Sequence, residues 1–163
     1  MAGLSEAQKK TALIVALDEI QDPHNFGAIA RSAVCLGATV IITPERRSAP
    51  ITQAVLQASA GAIQPIPTYA VGNLAQTILK LKEQGFWAYG ADAGGAPVWK
   101  TKLNHPMVLV IGSEGTGIRS LIKSYCDELV SIPHAPGGVE SLNASCAASV
   151  LLYEAARQKA LGK

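Results

Sequence analysis

The sequence predicts an α/β fold, in which a mainly parallel sheet carries helices on both of its faces. Short apolar runs of strand length recur along the chain, and segments with helical spacing of their apolar residues lie between them. Parallel strands need crossover connections, which the intervening helices supply. Ligands of such sheets bind beyond the carboxyl ends of the strands. We therefore expect functional residues in the loops that follow Leu17, Ala91, Ile111 and Ile132.

Each predicted strand is an apolar run too short for a stable buried helix. The runs cover 12–17, 39–43, 86–90, 107–111 and 129–132. A weaker candidate covers about residues 63–69, and its prolines place it at an edge of the sheet. Helical periodicity predicts helices over 25–36, 73–84 and 142–161.

One domain is expected over residues 11–163, because a chain of 163 residues is long enough to close one hydrophobic core. Residues 1–10 are polar and alanine-rich, so we expect a short helix, a frayed lead-in or the remnant of a linker there. The composition, 48% hydrophobic and 16% charged, is typical of a folded domain and excludes a disordered chain.

The chain has no apolar stretch of the roughly 20 residues that a membrane span needs, and its start lacks the apolar core of a secretory signal. We therefore expect a soluble, cytoplasmic protein. Cys35, Cys126 and Cys146 form no C-x-x-C unit and the three histidines are far apart, so we expect reduced thiols and no metal site. A net charge of +2 permits a nucleic-acid partner without indicating one.

The first polar motif, DPHNFGAIARSA over residues 22–33, lies where the first strand gives way to a helix. Asn25 could simply cap this helix by accepting a bond from a free backbone N–H. Arg31 lies among apolar residues of a helix that we expect to be largely buried, where an unpaired guanidinium is unfavourable. Arg31 therefore forms a structural salt bridge or faces a functional site.

The second motif, IGSEGTGIR over residues 111–119, is a glycine-rich turn after a strong strand. Glycines let the backbone approach a ligand closely. The spacing matches neither a P-loop nor the dinucleotide-binding fingerprint. Glu114 disfavours a phosphate at this point, and its alternative role is to cap a helix.

The third motif, IPHAPGGVESLNAS over residues 132–145, leads directly into the last helix. Ser141 is the natural N-cap of that helix. Asn143 and Ser145 are less expected in an alanine-rich first turn, where polar side chains either cap locally or face a site.

Together the motifs N-x-G-x-x-x-R, I-G-x-E-G-x-G and S-L-N-x-S-x-A resemble the signatures of the SpoU (TrmH-type) ribose methyltransferases of the SPOUT superfamily. The resemblance covers about residues 12–160. The wording PHNFGAIARSA is similar to the branch that methylates guanosine in large-subunit ribosomal RNA. The resemblance implies methyl transfer from S-adenosylmethionine to a ribose 2'-hydroxyl, a homodimer, and a deep trefoil knot over about residues 108–163.

The resemblance also implies roles for individual residues. The implied cofactor contacts are Gly112, Ile132, Leu142, Ser141, Ala91 and Gly117. The implied catalytic residues are Arg31, Asn25, Glu114, Asn143 and Ser141. Because a guanidinium stays protonated at neutral pH, Arg31 is expected to stabilise the developing alkoxide rather than to act as a base. Leu151, Leu152 and Tyr153 of the last helix could form part of the dimer surface or of the core.

Two departures from the family pattern and several alternatives remain open. The loop at 136–138 is a residue longer than the common form, which could alter the rim of the cofactor pocket. Only a short tail precedes the first strand, whereas many relatives carry an N-terminal RNA-binding domain, so we expect a truncated chain or a minimal member. The alternatives are a transfer RNA substrate, a flavodoxin-like nucleotide-binding module, and an RNA-binding relative without activity.

Overall fold

The computed structural model describes residues 6–135, 137 and 141–162, and it contains one six-stranded sheet. Every pairing between neighbouring strands is parallel. The predicted α/β class and parallel sheet are therefore confirmed. The strands are β1 (Leu13–Asp18), β2 (Val40–Pro44), β3 (Thr68–Val71), β4 (Trp87–Pro97), β5 (Met107–Gly112) and β6 (Glu128–Ser131), in the order β3-β2-β1-β5-β4-β6.

Helices connect these strands. They are α1 (Glu6–Lys10), α2 (Pro23–Cys35), α3 (Gln53–Ala58), α4 (Leu74–Glu83), α5 (Ser120–Lys123) and α6 (Ala144–Ala160), with a 3-10 turn over Val98–Lys100. The short helices α3 and α5 were not predicted, because each is too brief to show a helical period. None of the helices in the described part of the chain is long and apolar enough to cross a bilayer.

Two apolar layers hold the helices against the sheet, because strand side chains point alternately to its two faces. On β1, Leu13, Val15 and Leu17 face the layer that α2 and α6 cover. Ile14 and Ala16 face the opposite layer, beneath α4 and α5. All of β1 is buried, which explains why its sequence is a continuous apolar run.

The register at the centre of the sheet places the functional loops side by side. β1 pairs with β5 from Leu13 opposite Met107 to Asp18 opposite Gly112. Since the strands are parallel, Asp18 and Gly112 end at the same edge of the sheet, which we call the carboxyl edge.

Two helices begin at other residues than the sequence predicts. α2 begins at Pro23 rather than at residue 25, because the Asp22 side chain accepts the His24 N–H at 3.0 Å and proline suits the first helical position. α6 begins two residues later than expected, because its N-cap is Asn143; the assignment of Ser141 as N-cap was wrong.

Two other regions refine the predictions. β3 does lie at an edge of the sheet, but it covers Thr68–Val71 rather than 63–69, since the prolines before it lack an N–H to donate to a ladder. On α6, Leu151 and Leu152 are buried in the core, and Tyr153 is 60% exposed. Of these three side chains, Tyr153 alone is available to a partner surface. The lengthened loop at 136–138 lies outside the described residues except for Gly137.

Candidate active site

A cavity of about 300 Å³ opens at the carboxyl edge, beside the ends of β5 and β6 and the irregular middle of β4. Residues 91–93 of β4, the loops after β5 and β6, and the approach to α6 form its walls. We call it the edge cavity. All six residues that the resemblance implies as cofactor contacts line it, namely Ala91, Gly112, Gly117, Ile132, Ser141 and Leu142. Two of the four loops expected to carry function, those after β5 and β6, therefore surround one cavity. The expected loop after Ala91 was wrong, because β4 continues to Pro97 across a shift in register, although residues 91–93 still line the cavity.

The glycine-rich loop after β5 folds tightly on itself. A Cβ on Gly112 would lie 2.1 Å from the carbonyl carbon of Gly117, so no side chain fits there. The Gly117 N–H donates to the Ser113 carbonyl at 2.9 Å, and Gly115 and Gly117 both have positive φ, at 81° and 66°. Gly112 is therefore required by the packing of its own loop, in addition to any approach of a ligand.

A polar cluster lies where the three motifs meet. The Asn143 Nδ2 donates to Asn25 Oδ1 at 2.9 Å and also to Glu114 Oε1. Glu114 Oε1 in turn accepts the backbone N–H of Ala144, the first residue of α6, at 3.3 Å. The structure thus brings Asn25, Glu114 and Asn143 together from three separate segments of the chain.

Asn143 holds this cluster because both ends of its side-chain amide are used. Its Oδ1 accepts the N–H groups of Ser145 and Cys146 at 2.9 and 3.4 Å and caps α6. The same oxygen accepts the Ser145 hydroxyl at 2.6 Å. Its Nδ2 is left to face Asn25 and Glu114. Asn143 therefore caps α6 locally and also joins the polar cluster.

Arg31 stands apart from this cluster, and the expectation that it is buried was wrong. It is exposed on the outer side of α2, and among the described residues it has no ion-pair partner. Its neighbour Ser32 marks the seam between α2 and α6, since the Ser32 and Ser149 hydroxyls are 2.7 Å apart. Position 31 lies about 100° further round the helix and faces outward.

The sequence reasoning missed an ion pair on the wall of the edge cavity. The Lys123 ammonium contacts the Asp92 carboxylate, and both residues line the cavity. Its hydrogen bond from Lys123 lowers the pKa of Asp92 below its usual value. Asp92 directly follows Ala91, where the sequence predicted a strand to end, and this was a signal of function. Lys123 lies on a short, unpredicted helix and carried no such signal.

A second missed feature is the buried carboxylate of Asp18, which is 0% exposed at the end of β1. Arg119 meets it through its backbone N–H at 2.9 Å, its Nε at 2.8 Å and a terminal guanidinium nitrogen at 2.6 Å. These contacts raise the pKa of the Arg119 guanidinium. They tie the glycine-rich loop to the end of β1.

The described residues include no group of three or more His, Cys, Asp or Glu side chains placed to hold a metal ion. His134 lines the edge cavity, and the other two histidines do not. Partial burial of Cys126 raises the pKa of its thiol to about 11, which disfavours the thiolate form at neutral pH.

Comparison with known proteins finds relatives of this chain that are named as RNA methyltransferases. Two are 23S rRNA (guanosine-2'-O-)-methyltransferases named RlmB. The one from Xanthomonas campestris pv. campestris is 45% identical over 160 residues, and the one from Vibrio parahaemolyticus is 43% identical over 159. The matches cover 98% and 96% of this chain and 64% of either relative. The chain thus spans less than two thirds of their length.

Solved structures share the fold. The SpoU methyltransferase AviRb from Streptomyces viridochromogenes, in complex with the cofactor AdoMet, has a TM-score of 0.86 at 30% identity, over 97% of this chain and 66% of that one. The A. aeolicus TrmH/SpoU tRNA modifying enzyme has a TM-score of 0.82 at 29% identity, over 95% and 79%.

A family model described as the SpoU rRNA Methylase family matches residues 12–153, which include all three motifs and every strand of the sheet. The chain belongs to the SpoU rRNA methylase family.

Proposed function

We propose that this chain is the catalytic domain of an RNA methyltransferase that transfers a methyl group from S-adenosylmethionine to a ribose 2'-hydroxyl. The observation that carries the proposal is the junction of the three motifs at the carboxyl edge, where the edge cavity adjoins the cluster of Asn25, Glu114 and Asn143. One place for a cofactor and one for a nucleotide then lie side by side.

We propose guanosine in 23S ribosomal RNA as the target, which places the protein in the cytoplasm. The names of the two RlmB relatives support this target. Transfer RNA is the second candidate, and the A. aeolicus tRNA modifying enzyme favours it.

The residues of the edge cavity fit S-adenosylmethionine. Its volume is at the lower end of the range of ligand pockets, about 300–1,000 Å³. Ile132, Leu142 and Leu151 give it apolar walls, which suit a neutral adenine. The Asp92–Lys123 pair adds charged groups to one wall, which suit the charged end of a methionine. When bound, the cofactor supplies an electrophilic methyl group on a sulfonium.

The protein's contribution in this proposal is positioning and charge stabilisation. Glu114 fixes the amide of Asn143, and Asn143 with Asn25 orients the acceptor ribose for in-line attack. The guanidinium of Arg31 stabilises the negative charge that develops on the 2'-oxygen. Since Arg31 faces outward on α2, we propose that it acts in a homodimer, at an acceptor site completed by a second copy.

We also propose that the C-terminal part, about residues 108–163, forms the trefoil knot that the resemblance implies. The topology supports this path, because β6 lies outside β4 while α6 returns to pack against α2 and β5. An experimental trace of residues 131–144 tests it, and a loop that stays outside the rest of the chain would contradict it.

Two measurements test the proposed activity. Calorimetry with S-adenosylmethionine and S-adenosylhomocysteine should show saturable binding of both. Single-turnover methylation of a 23S ribosomal RNA transcript, with protein in excess, should yield 2'-O-methylguanosine by mass spectrometry. A transfer RNA transcript in parallel distinguishes the second candidate.

The matched variants are Arg31→Ala and Lys80→Ala, both of which remove an exposed positive charge from a helix. We expect Arg31→Ala to lose about 100-fold or more in turnover with cofactor binding kept, and Lys80→Ala to behave as wild type. Unchanged turnover in Arg31→Ala would remove its assigned role. A folded protein that binds a nucleotide but not S-adenosylmethionine would instead be a nucleotide-binding module.

A further inference from the structure

A second cleft, of about 570 Å³, opens at the carboxyl edge near the ends of β1 and β2, on the side of the sheet that α4 and α5 cover. We call it the arginine cleft, because Arg46, Arg47 and Arg119 line it. We propose that the arginine cleft binds backbone phosphates of the substrate RNA next to the acceptor nucleotide. This inference rests on the proposed RNA methyltransferase function.

Arg119 gives the cleft a fixed positive charge. Its Nε and one terminal nitrogen contact the buried Asp18, and its other terminal nitrogen lies 3.6 Å from Glu19. The side chain nevertheless remains 45% exposed. Because its position is fixed before any ligand arrives, little conformational entropy is lost when a phosphate binds.

Arg47 and Arg46 supply exposed positive charge at the rim. The Arg47 side chain is 72% exposed and lies 3.3 Å from Glu19. Arg46 is exposed and has no ion-pair partner among the described residues. An exposed guanidinium without a protein partner is well suited to bind a phosphate in two-point geometry.

The backbone of the rim is held in an uncommon conformation. Glu19 and Arg47 have φ of 59° and 60°, in the left-handed region that residues other than glycine rarely adopt. The side chains of these two residues contact each other across the cleft. Strain of this kind concentrates at functional sites, which agrees with a binding role for the rim.

The amino end of α4 adds to the positive potential of the arginine cleft. Gly72, Asn73 and Leu74 line the cleft, so the amino end of this ten-residue helix faces it. The first turn contains no acidic residue. The partial positive charge of the helix end therefore acts on the same space as the three arginines.

Two carboxylates oppose this charge in different ways. Glu19 is already engaged by Arg47 and Arg119 and is mostly buried. The Glu45 side chain lies near the amino end of α4, because its Oε2 is 3.8 Å from the position that a Cβ on Gly72 would take. A phosphate bound at the helix end would approach Glu45, so loss of that charge should strengthen RNA binding.

The location favours the substrate strand over an unrelated anion. The loop that begins with Glu19 ends at α2, which carries Asn25, and the loop that ends with Arg119 contains Glu114. The arginine cleft and the acceptor cluster therefore share two loops. RNA that places a nucleotide on the cluster can continue along these loops into the cleft.

The test measures by fluorescence anisotropy how tightly the protein binds a fluorescein-labelled single-stranded RNA of the 23S target. The affinity is measured at about five KCl concentrations between roughly 50 and 300 mM. The variants are Arg46→Ala/Arg47→Ala, Glu45→Gln, and the control Lys80→Ala/Lys100→Ala, which removes two exposed charges elsewhere. We expect the double arginine variant to bind RNA roughly tenfold more weakly than wild type. The slope of log affinity against log salt concentration should become less steep by about 0.7 for each lost phosphate contact. Glu45→Gln should bind more tightly than wild type.

Cofactor binding of every variant, measured by calorimetry, separates this inference from the proposed function. The proposal that the arginine cleft binds RNA would be overturned by an arginine variant that binds RNA like the control pair, or by a wild type that binds no RNA. If the wild type fails to bind S-adenosylmethionine, the methyltransferase proposal fails, while the RNA affinities of the variants still test whether the arginine cleft binds RNA. Competition by inorganic phosphate as strong as by unlabelled RNA would mean a general anion site and also overturn it.

Discussion

Asp18 shows how a single buried charge organises the carboxyl edge. The residue is the last of β1, and its carboxylate is fully buried against Arg119, 101 positions away in sequence. Neither residue stood out in the sequence, because a polar residue after a strand is normal and an arginine after a glycine-rich turn can simply be exposed. Only the fold shows that they form one unit.

We predict that Arg119→Met lowers the free energy of unfolding by about 2–3 kcal/mol. The change leaves the Asp18 carboxylate buried with one hydrogen bond, from the backbone N–H of residue 119. Loss of one partner of a buried ion pair usually costs about 3–5 kcal/mol. The expected loss is smaller here because the guanidinium is itself 45% exposed.

Urea denaturation followed by circular dichroism measures this loss. The double variant Asp18→Asn/Arg119→Met should recover part of the stability, since it also removes the unpaired charge. A single variant as stable as wild type would show that the pair does not stabilise the fold.

His105 is a half-buried titratable group for which we expect a pH effect on stability. Its Nε2 has no hydrogen-bond partner among the described residues, and its Nδ1 lies 3.4 Å from the Ala12 carbonyl. Burial lowers the pKa of His105 below 6.5, and the nearby Lys159 acts in the same direction.

Because the folded-state pKa is the lower one, the unfolded chain takes up the proton first as pH falls. The contribution of His105 is therefore fully present above about pH 6.5 and decreases below it, by at most about 1.4 kcal/mol per pH unit. Urea midpoints at pH 7.5 and 5.5 should show less of this decrease in His105→Gln than in wild type. The exposed His24→Gln is the control, and equal pH dependence in all three proteins would contradict the prediction.

At the scale of elements, the start of α6 is where the sequence prediction was closest to the site and still incomplete. The motif S-L-N-x-S-x-A marked the right turn of helix, and Asn143 was already a candidate site residue. Capping preference alone could not separate Ser141 from Asn143, since both residue types are good N-caps, and the prediction chose Ser141. The choice of Asn143 depends on Glu114, whose contact with this turn requires the tertiary fold.

We predict that Asn143→Ala lowers the free energy of unfolding by about 2 kcal/mol. Loss of the cap of α6 contributes about 1 kcal/mol. Loss of the hydrogen bond to Asn25 contributes about as much. Asn73→Ala is the matched control, because Asn73 caps α4 through the Gln76 N–H and makes no comparable bridge, so about 1 kcal/mol is expected.

Asn143→Asp separates the two roles of this residue. An aspartate keeps the capping oxygen but loses both N–H donors and faces the Glu114 carboxylate with a like charge. We expect this variant to be at least as unstable as Asn143→Ala in urea denaturation. Wild-type stability in Asn143→Asp would mean that capping alone matters.

For the whole molecule, the sheet was predictable because its strands β1, β2 and β5 are buried on both faces and their sequences are nearly continuous apolar runs. The alternation of these runs with helical segments then fixed the parallel class. The strand order was not accessible, because apolar runs such as 12–17 and 107–111 do not specify their neighbours. The residues of the edge cavity were identified through the family resemblance, and their sequence chemistry alone left the ligand open.

The proposed dimer gives a prediction at this scale. Val150 and Tyr153 are 41% and 60% exposed on α6, which meets α2 through the hydroxyls of Ser149 and Ser32. We expect the wild type to sediment as a dimer and Tyr153→Asp to sediment as a monomer with unchanged circular dichroism, because a charge would be desolvated in the interface. Leu121→Asp, at an exposed apolar position on the other side of the sheet, is the control. A monomeric wild type would contradict the dimer and the composite acceptor site.

The pairing of β1 with β5 also has a consequence for synthesis. On the ribosome, Leu13 emerges before its partner Met107, which follows only after β2, β3 and β4 have been made. Until then, one side of the future central strand is an open edge with unpaired backbone groups, which can pair with other chains. Pairings so distant in sequence form slowly. We therefore expect chaperones that shield this edge during synthesis to raise the yield of native protein.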